Sequence, residues 1–79
     1  MKNQTLSELA NVIQEDWKNV TPAAKAYLGP LFELNDITDN YYLDSGRSVV
    51  CYFLANAQSW KGEVAREVKK ELNRRLKSV

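Results

Sequence analysis

Between Leu6 and Val20 the apolar residues Leu6, Leu9, Ala10, Val12, Ile13, Trp17 and Val20 fall within about 160° of arc when placed at helical spacing, the stripe of a helix resting on a core. Glu8, Asn11, Glu15 and Lys18 lie opposite. Thr5-Leu6-Ser7-Glu8 has the capping-box spacing, in which a hydroxyl and a carboxylate satisfy free amides at a helix start. The pattern predicts a first helix over residues 5–19.

Thr21-Pro22 reads as a cap followed by proline at the first helical position, where the missing amide and fixed φ cost nothing. Ala23, Ala24, Ala26, Tyr27 and Leu28 carry a second helix over 22–34. Gly29-Pro30 removes one helical hydrogen bond and sets the ring against the Ala26 carbonyl, so a kink or break is expected there. Leu31, Phe32 and Leu34 then continue as a last helical turn.

Residues 35–46 are dense in Asn, Asp, Ser and Gly, whose short side chains or freedom at positive φ favour turns. Tyr41, Tyr42 and Leu43 within that connection are apolar enough to be expected back on the core. Asp44 or Ser45 caps a third helix over 45–57, with Val49, Val50, Phe53, Leu54 and Ala57 on one face. The run Ser48–Phe53 also has strand character, but the chain offers no second such run to pair with it. A fourth helix over 60–77 is expected, capped by Ser59, with Trp60, Val64, Ala65, Val68, Leu72 and Leu76 along its apolar edge. Glu63 in its first turn and Arg74, Arg75 and Lys77 in its last suit the helix dipole.

These elements predict an all-α fold, a small bundle of four helices in a single domain spanning 1–79. The expected core is Leu9, Ile13, Trp17, Leu28, Phe32, Val50, Phe53, Leu54, Trp60, Val64, Val68 and Leu72. Trp17 and Trp60 are read as core rather than as interface anchors. Gly62, expected in the first turn of the last helix, implies close approach by another helix or by Tyr41-Tyr42.

Composition narrows the function classes. With 79 residues and 44% hydrophobic content, the chain is too apolar for a disordered tail, yet small enough that self-association, as monomer or homodimer, stays open. The single cysteine, Cys51, forms no internal disulfide, no signal-peptide layout is visible, and no apolar run approaches a membrane span; a cytoplasmic location without membrane contact is the expectation. Net charge is +1, but it is unevenly spread. Residues 1–44 carry three basic against seven acidic side chains, net −4, and residues 45–79 eight against three, net +5. Such asymmetry suits a polyanionic partner, or attraction between the two halves during folding.

Histidine is absent, which removes the usual general base and the commonest zinc ligand. Cys51, among apolar neighbours, reads as a buried inert thiol. The glycines at 29, 46 and 62 are isolated and form no phosphate loop. Asp36, Asp39 and Asp44 do not match calcium-loop alternation and read as turn and cap residues. No catalytic, metal or cofactor site is therefore expected, and an enzyme would have to work through carboxylates alone.

The suggestive surface is the basic flank of the last helix, Arg66, Lys69, Lys70, Arg74 and Lys77. Glu63 with Arg66, Glu67 with Lys70, and Glu71 with Arg74 and Arg75 have helix-neighbour spacing that weakens its field. The flank reads as an ion-paired face, as a site for an acidic protein, or as a nucleic-acid contact, although no aromatics interleave with it as stacking platforms.

Leu43 to Leu76 resembles a group of small uncharacterised proteins encoded in tailed-bacteriophage and prophage genomes. The matching residues are Asp44-Ser45, Val49-Val50, Tyr52-Phe53-Leu54, Asn56-Ala57, Ser59 through Arg66, and Lys70-Glu71-Leu72. Weaker similarity covers Asp16-Trp17 and Ala23-Ala24 to Tyr27-Leu28, and Gly29-Pro30 departs from the pattern. The resemblance implies a phage or prophage origin and a bacterial cytoplasm, and carries over no functional residues. The expected function is a non-catalytic accessory protein that binds a host or phage protein, with a small nucleic-acid-binding module as the alternative.

Overall fold

Thr5 opens the first helix as its sequence requires: its Oγ1 accepts from the Glu8 amide at 3.1 Å, and its own amide donates to Glu8 Oε1 at 2.7 Å. The computed structural model describes residues 3–77; Met1, Lys2, Ser78 and Val79, the outermost residues of the expected 1–79 domain, lie outside them. The elements are α1 (Leu6–Asp16), α2 (Pro22–Leu31), β1 (Asn40–Tyr41), β2 (Asp44–Ser45), α3 (Gly46–Ala55) and α4 (Glu63–Lys77). The fold is mainly helical: the described residues form four helices and one two-stranded antiparallel hairpin, Asn40 opposite Ser45 and Tyr41 opposite Asp44.

Leu6, Leu9, Ala10 and Ile13 of α1 are buried, as their stripe predicts. The helix stops at Asp16 rather than at 19, because Trp17 leaves helical geometry (φ −92°, ψ 91°). That turn carries its indole onto Trp60, with 5.7 Å between ring centroids and 8° between planes, and edge-on to Phe53 at 6.3 Å. The amides of Leu6 and Ser7 reach the Asn35 and Leu34 carbonyls at 3.0 and 2.9 Å. The chain leaving α2 thus satisfies free donors at the start of α1.

Thr21 caps α2 through the Ala24 amide. The helix runs through Gly29-Pro30 without breaking there. Pro30 falls in the last turn, and the turn beyond it tightens: Phe32 donates to Gly29, Glu33 to Pro30 and Leu34 to Leu31. Residues 32–34 therefore continue as the i→i−3 bonded turn common at helix ends. Leu31 and Leu34 are buried, whereas Phe32, expected in the core, is only half-buried.

The connection differs most from expectation. Ile37 is its buried anchor, and Tyr41 packs against the core, but Tyr42 and Leu43 do not fold back: they are 87% and 103% exposed. Asp39 organises the turn by accepting from the Asn35 and Asp36 amides, both at 3.0 Å, and Asp36 accepts from the Thr38 amide at 3.1 Å. Gly46 closes it, donating to the Asp39 carbonyl at 2.6 Å. A Cβ there would stand 2.9 Å from the Asp39 and Ile37 carbonyl oxygens, so only glycine fits.

Ser45, not Asp44, caps α3, accepting from the Ser48 amide at 3.1 Å. Val49, Val50 and Phe53 are buried, Leu54 half-buried, and Cys51 is exposed rather than buried because it points away from that face. The fourth helix begins at Glu63, not at residue 60. Gly62 adopts φ +115° with nothing near its absent Cβ, so it redirects the backbone rather than admitting a neighbour. Ser59 is consequently not the cap. Trp60 packs as a buried residue ahead of the helix, its amide bonded to the Ala57 carbonyl at 3.1 Å. Ala65, Val68 and Leu72 are buried, and Val64 is half-buried.

Candidate functional site

Two surfaces stand apart from the packed core. The first is the hairpin tip, where Tyr42 and Leu43 form the two-residue loop between β1 and β2. Tyr42 takes φ +55°, a left-handed backbone uncommon for a bulky residue. Loops of this length favour Asn-Gly or a leading glycine. The Tyr42 ring rests edge-on against Tyr41, 4.7 Å between centroids and 80° between planes, and Tyr41 in turn packs on the core. The tip is thereby held from beneath while presenting nearly all of its apolar surface to water. Sequence reasoning missed it: Tyr-Tyr-Leu looked too apolar for a loop. The available signal was the polar and turn-forming residues on both sides of it, which leave a two-residue tip at its centre.

The second is the outer face of α4. Placed at helical spacing, Arg66, Lys70, Asn73 and Lys77 fall within about 60° of arc, and all four are exposed. At the start of the helix, Lys61, Arg66, Lys69 and Lys70 surround an open depression of about 620 Å³, with Glu63 on its rim and Trp60 at its base. Lys69 is held in place: its Nζ donates to the Trp60 carbonyl at 2.6 Å and lies 5.9 Å from the centre of that indole. Burial, and then the neighbouring Lys61 charge, push the Lys69 ammonium pKa down. The other three helices begin with a hydroxyl cap; the described residues contribute no such side chain to α4.

The five predicted residues do not act as one flank. Arg66, Lys70 and Lys77 stay on the exposed ridge, and Lys69 turns inward to Trp60. Arg74 is spoken for, since its Nε and Nη2 donate to Glu71 at 3.0 and 2.7 Å. Arg75 Nε reaches the same carboxylate at 2.6 Å, and its Nη2 donates to the Gln4 carbonyl at 2.7 Å. Glu71 is consequently a buried anchor, 9% exposed; the hydrogen bond from Arg74, helped by Arg75 against the cost of burial, lowers its carboxyl pKa to about 2. The Arg74 guanidinium is raised in turn by that bond. Of the three expected pairings only the Glu71 set forms: among the described residues Glu63 makes no ion pair with Arg66, nor Glu67 with Lys70. Lys61, not expected in the site, joins it because Gly62 turns the chain there.

Among the described residues no helix is long and apolar enough to cross a membrane. The central carboxylates Asp36 and Asp39 are engaged with backbone amides in the turn roles expected of them. No protein-family model, curated protein or solved structure matches this chain.

Proposed function

We propose that the protein is a non-catalytic accessory protein that acts by binding another protein, with Tyr42 and Leu43 as the docking element. One observation carries this reading. Two large apolar side chains occupy a tight hairpin tip, fully in solvent and with Tyr42 in a left-handed backbone, where Asn-Gly would be both more soluble and less strained. Strain and exposure together at one position are retained when the position does something. Tyrosine anchors with a large buried area on binding are characteristic of interface hot spots. The absence of histidine and the turn-forming engagement of Asp36 and Asp39 support a binding role over a catalytic one. The resemblance of Leu43–Leu76 to phage- and prophage-encoded proteins supports a host or phage protein as the partner, met in the bacterial cytoplasm.

The test is a matched pair of affinity captures from a bacterial host, one with the native chain and one with the Tyr42→Asn/Leu43→Gly variant. The native chain is expected to retain a specific protein that the variant loses, with purified components showing a drop in affinity of about 30-fold or more. Retention of the same proteins by both chains, or of none by either, overturns the proposal.

A further inference from the structure

The geometry points to a second, separate contact on α4: a sequence-independent site for the phosphate backbone of duplex nucleic acid, formed by Lys61, Arg66, Lys70 and Lys77. Arg66, Lys70 and Lys77 follow one ridge, which spans about 16 Å at the helical rise. The Val68, Leu72 and Ala65 side lies buried behind them. Lys61 extends the ridge across the depression at its N-terminal end, where Lys69 already occupies the base. None of the four makes an ion pair among the described residues, because the one engaged carboxylate of the helix, Glu71, faces inward to Arg74 and Arg75. Glu63 on the rim and Glu67 beside the ridge are the opposing charges.

Charge complementarity selects the occupant. Unpaired cations on an exposed convex helix match a polyanion of regularly spaced charge, and phosphate contacts of this kind supply affinity without reading sequence. The ridge carries no aromatic side chain on which an unpaired base could stack, so a duplex backbone fits better than a single strand. Asn73, the ridge's uncharged polar side chain, is engaged within the helix, its Nδ2 donating to the Lys69 carbonyl at 2.9 Å. The acidic residues concentrate in the first half of the chain, at net −4, which turns α4 rather than α1 or α2 toward a polyanion. The start of α3 is tied to the far end of α4 by Arg47 Nη2 on the Leu76 carbonyl at 2.8 Å. The hairpin therefore lies toward the end of α4 opposite the depression, and the two contacts are independent.

Fluorescence anisotropy with a labelled random-sequence duplex, as DNA and as RNA, tests this on the full chain. Micromolar binding is expected at about 50 mM salt, with a log–log salt slope of about −3 to −4 for four phosphate contacts. The double charge reversal Arg66→Glu/Lys70→Glu is expected to weaken binding by about tenfold or more, and Glu67→Gln to tighten it. Both variants alter exposed, unpaired positions, and circular dichroism checks that they fold. The inference is overturned by no binding of either duplex at low salt, by unchanged affinity in the folded charge-reversal variant, or by tighter binding to poly-glutamate than to duplex, which would assign the ridge to an acidic protein.

Discussion

The indole N–H of Trp60 donates to Asp16 Oδ2 at 2.9 Å, joining the last residue of α1 to the segment that leads into α4. The same ring is stacked on Trp17 and almost completely buried. One side chain thus combines apolar burial with a satisfied polar edge, and both depend on α1 ending where it does. Replacing Asp16 with Ala leaves a buried donor without its partner and is expected to cost about 1–2 kcal/mol in urea denaturation. Trp60→Ala, which also empties the centre of the core, is expected to cost about 3–5 kcal/mol. Equal effects from the two substitutions would show that the hydrogen bond, not the packing, dominates.

Helix existence was legible wherever a stripe and a cap coincided, as at Thr5 with Leu6, Leu9 and Ile13. Boundaries were not, because tertiary contacts set them: Trp17 leaves α1 to meet Trp60, and Gly62 postpones α4. The basic positions of α4 were visible by spacing, and so was the pairing of Glu71 with Arg74 and Arg75; which of the expected ion pairs form was not. Glu63 and Glu67 also have a base three residues on, but they stay in solvent, and only Glu71 is buried with two guanidinium groups around it. The hairpin tip was misread because apolar residues were equated with burial, a rule that runs only one way.

The glycines differ in a way that thermal or urea melts will separate. Gly46→Ala drives a Cβ into two backbone carbonyls and is expected to destabilise by about 2–4 kcal/mol, since backbone cannot yield as a side-chain end does. Gly62→Ala meets open space but a positive φ, and the expected cost is about 1–2 kcal/mol. Gly29→Ala meets neither obstacle on its helix and should stabilise by about 0.5–1 kcal/mol. A reversed order of Gly46 and Gly29 would contradict the packing described for the connection.

Strain at the hairpin tip has its own readout. Tyr42→Gly relieves the left-handed backbone without removing a core contact and is expected to raise stability by about 1 kcal/mol. A stability gain accompanied by lost partner binding would be the signature of a position kept for function. A loss of stability would mean that the Tyr41–Tyr42 edge contact, together with the backbone freedom that glycine adds to the unfolded chain, outweighs the strain.

Cys51 faces solvent on α3. Its thiol is expected to react with a soluble disulfide reagent in the native protein, without denaturant. Protection that disappears only on addition of denaturant would place it inside the core instead.

The Glu71 carboxylate couples stability to acid pH. Its folded pKa of about 2 lies below the ordinary glutamate value because Arg74 and Arg75 hold the charged form. A depressed carboxyl pKa contributes stability that is fully present above the unfolded value and disappears as pH falls through the folded one. The contribution should therefore be constant above about pH 5 and fade between there and about pH 2. Other carboxylates also titrate in this window, so the informative quantity is the difference between the native chain and Glu71→Gln. At neutral pH the variant is expected to be less stable by about 2 kcal/mol, having lost charge-assisted hydrogen bonds. As pH drops, protonated Glu71 comes to resemble the amide, and the gap should close. A gap that stays constant down to about pH 2 would mean that shape, not charge, is what Arg74 and Arg75 recognise.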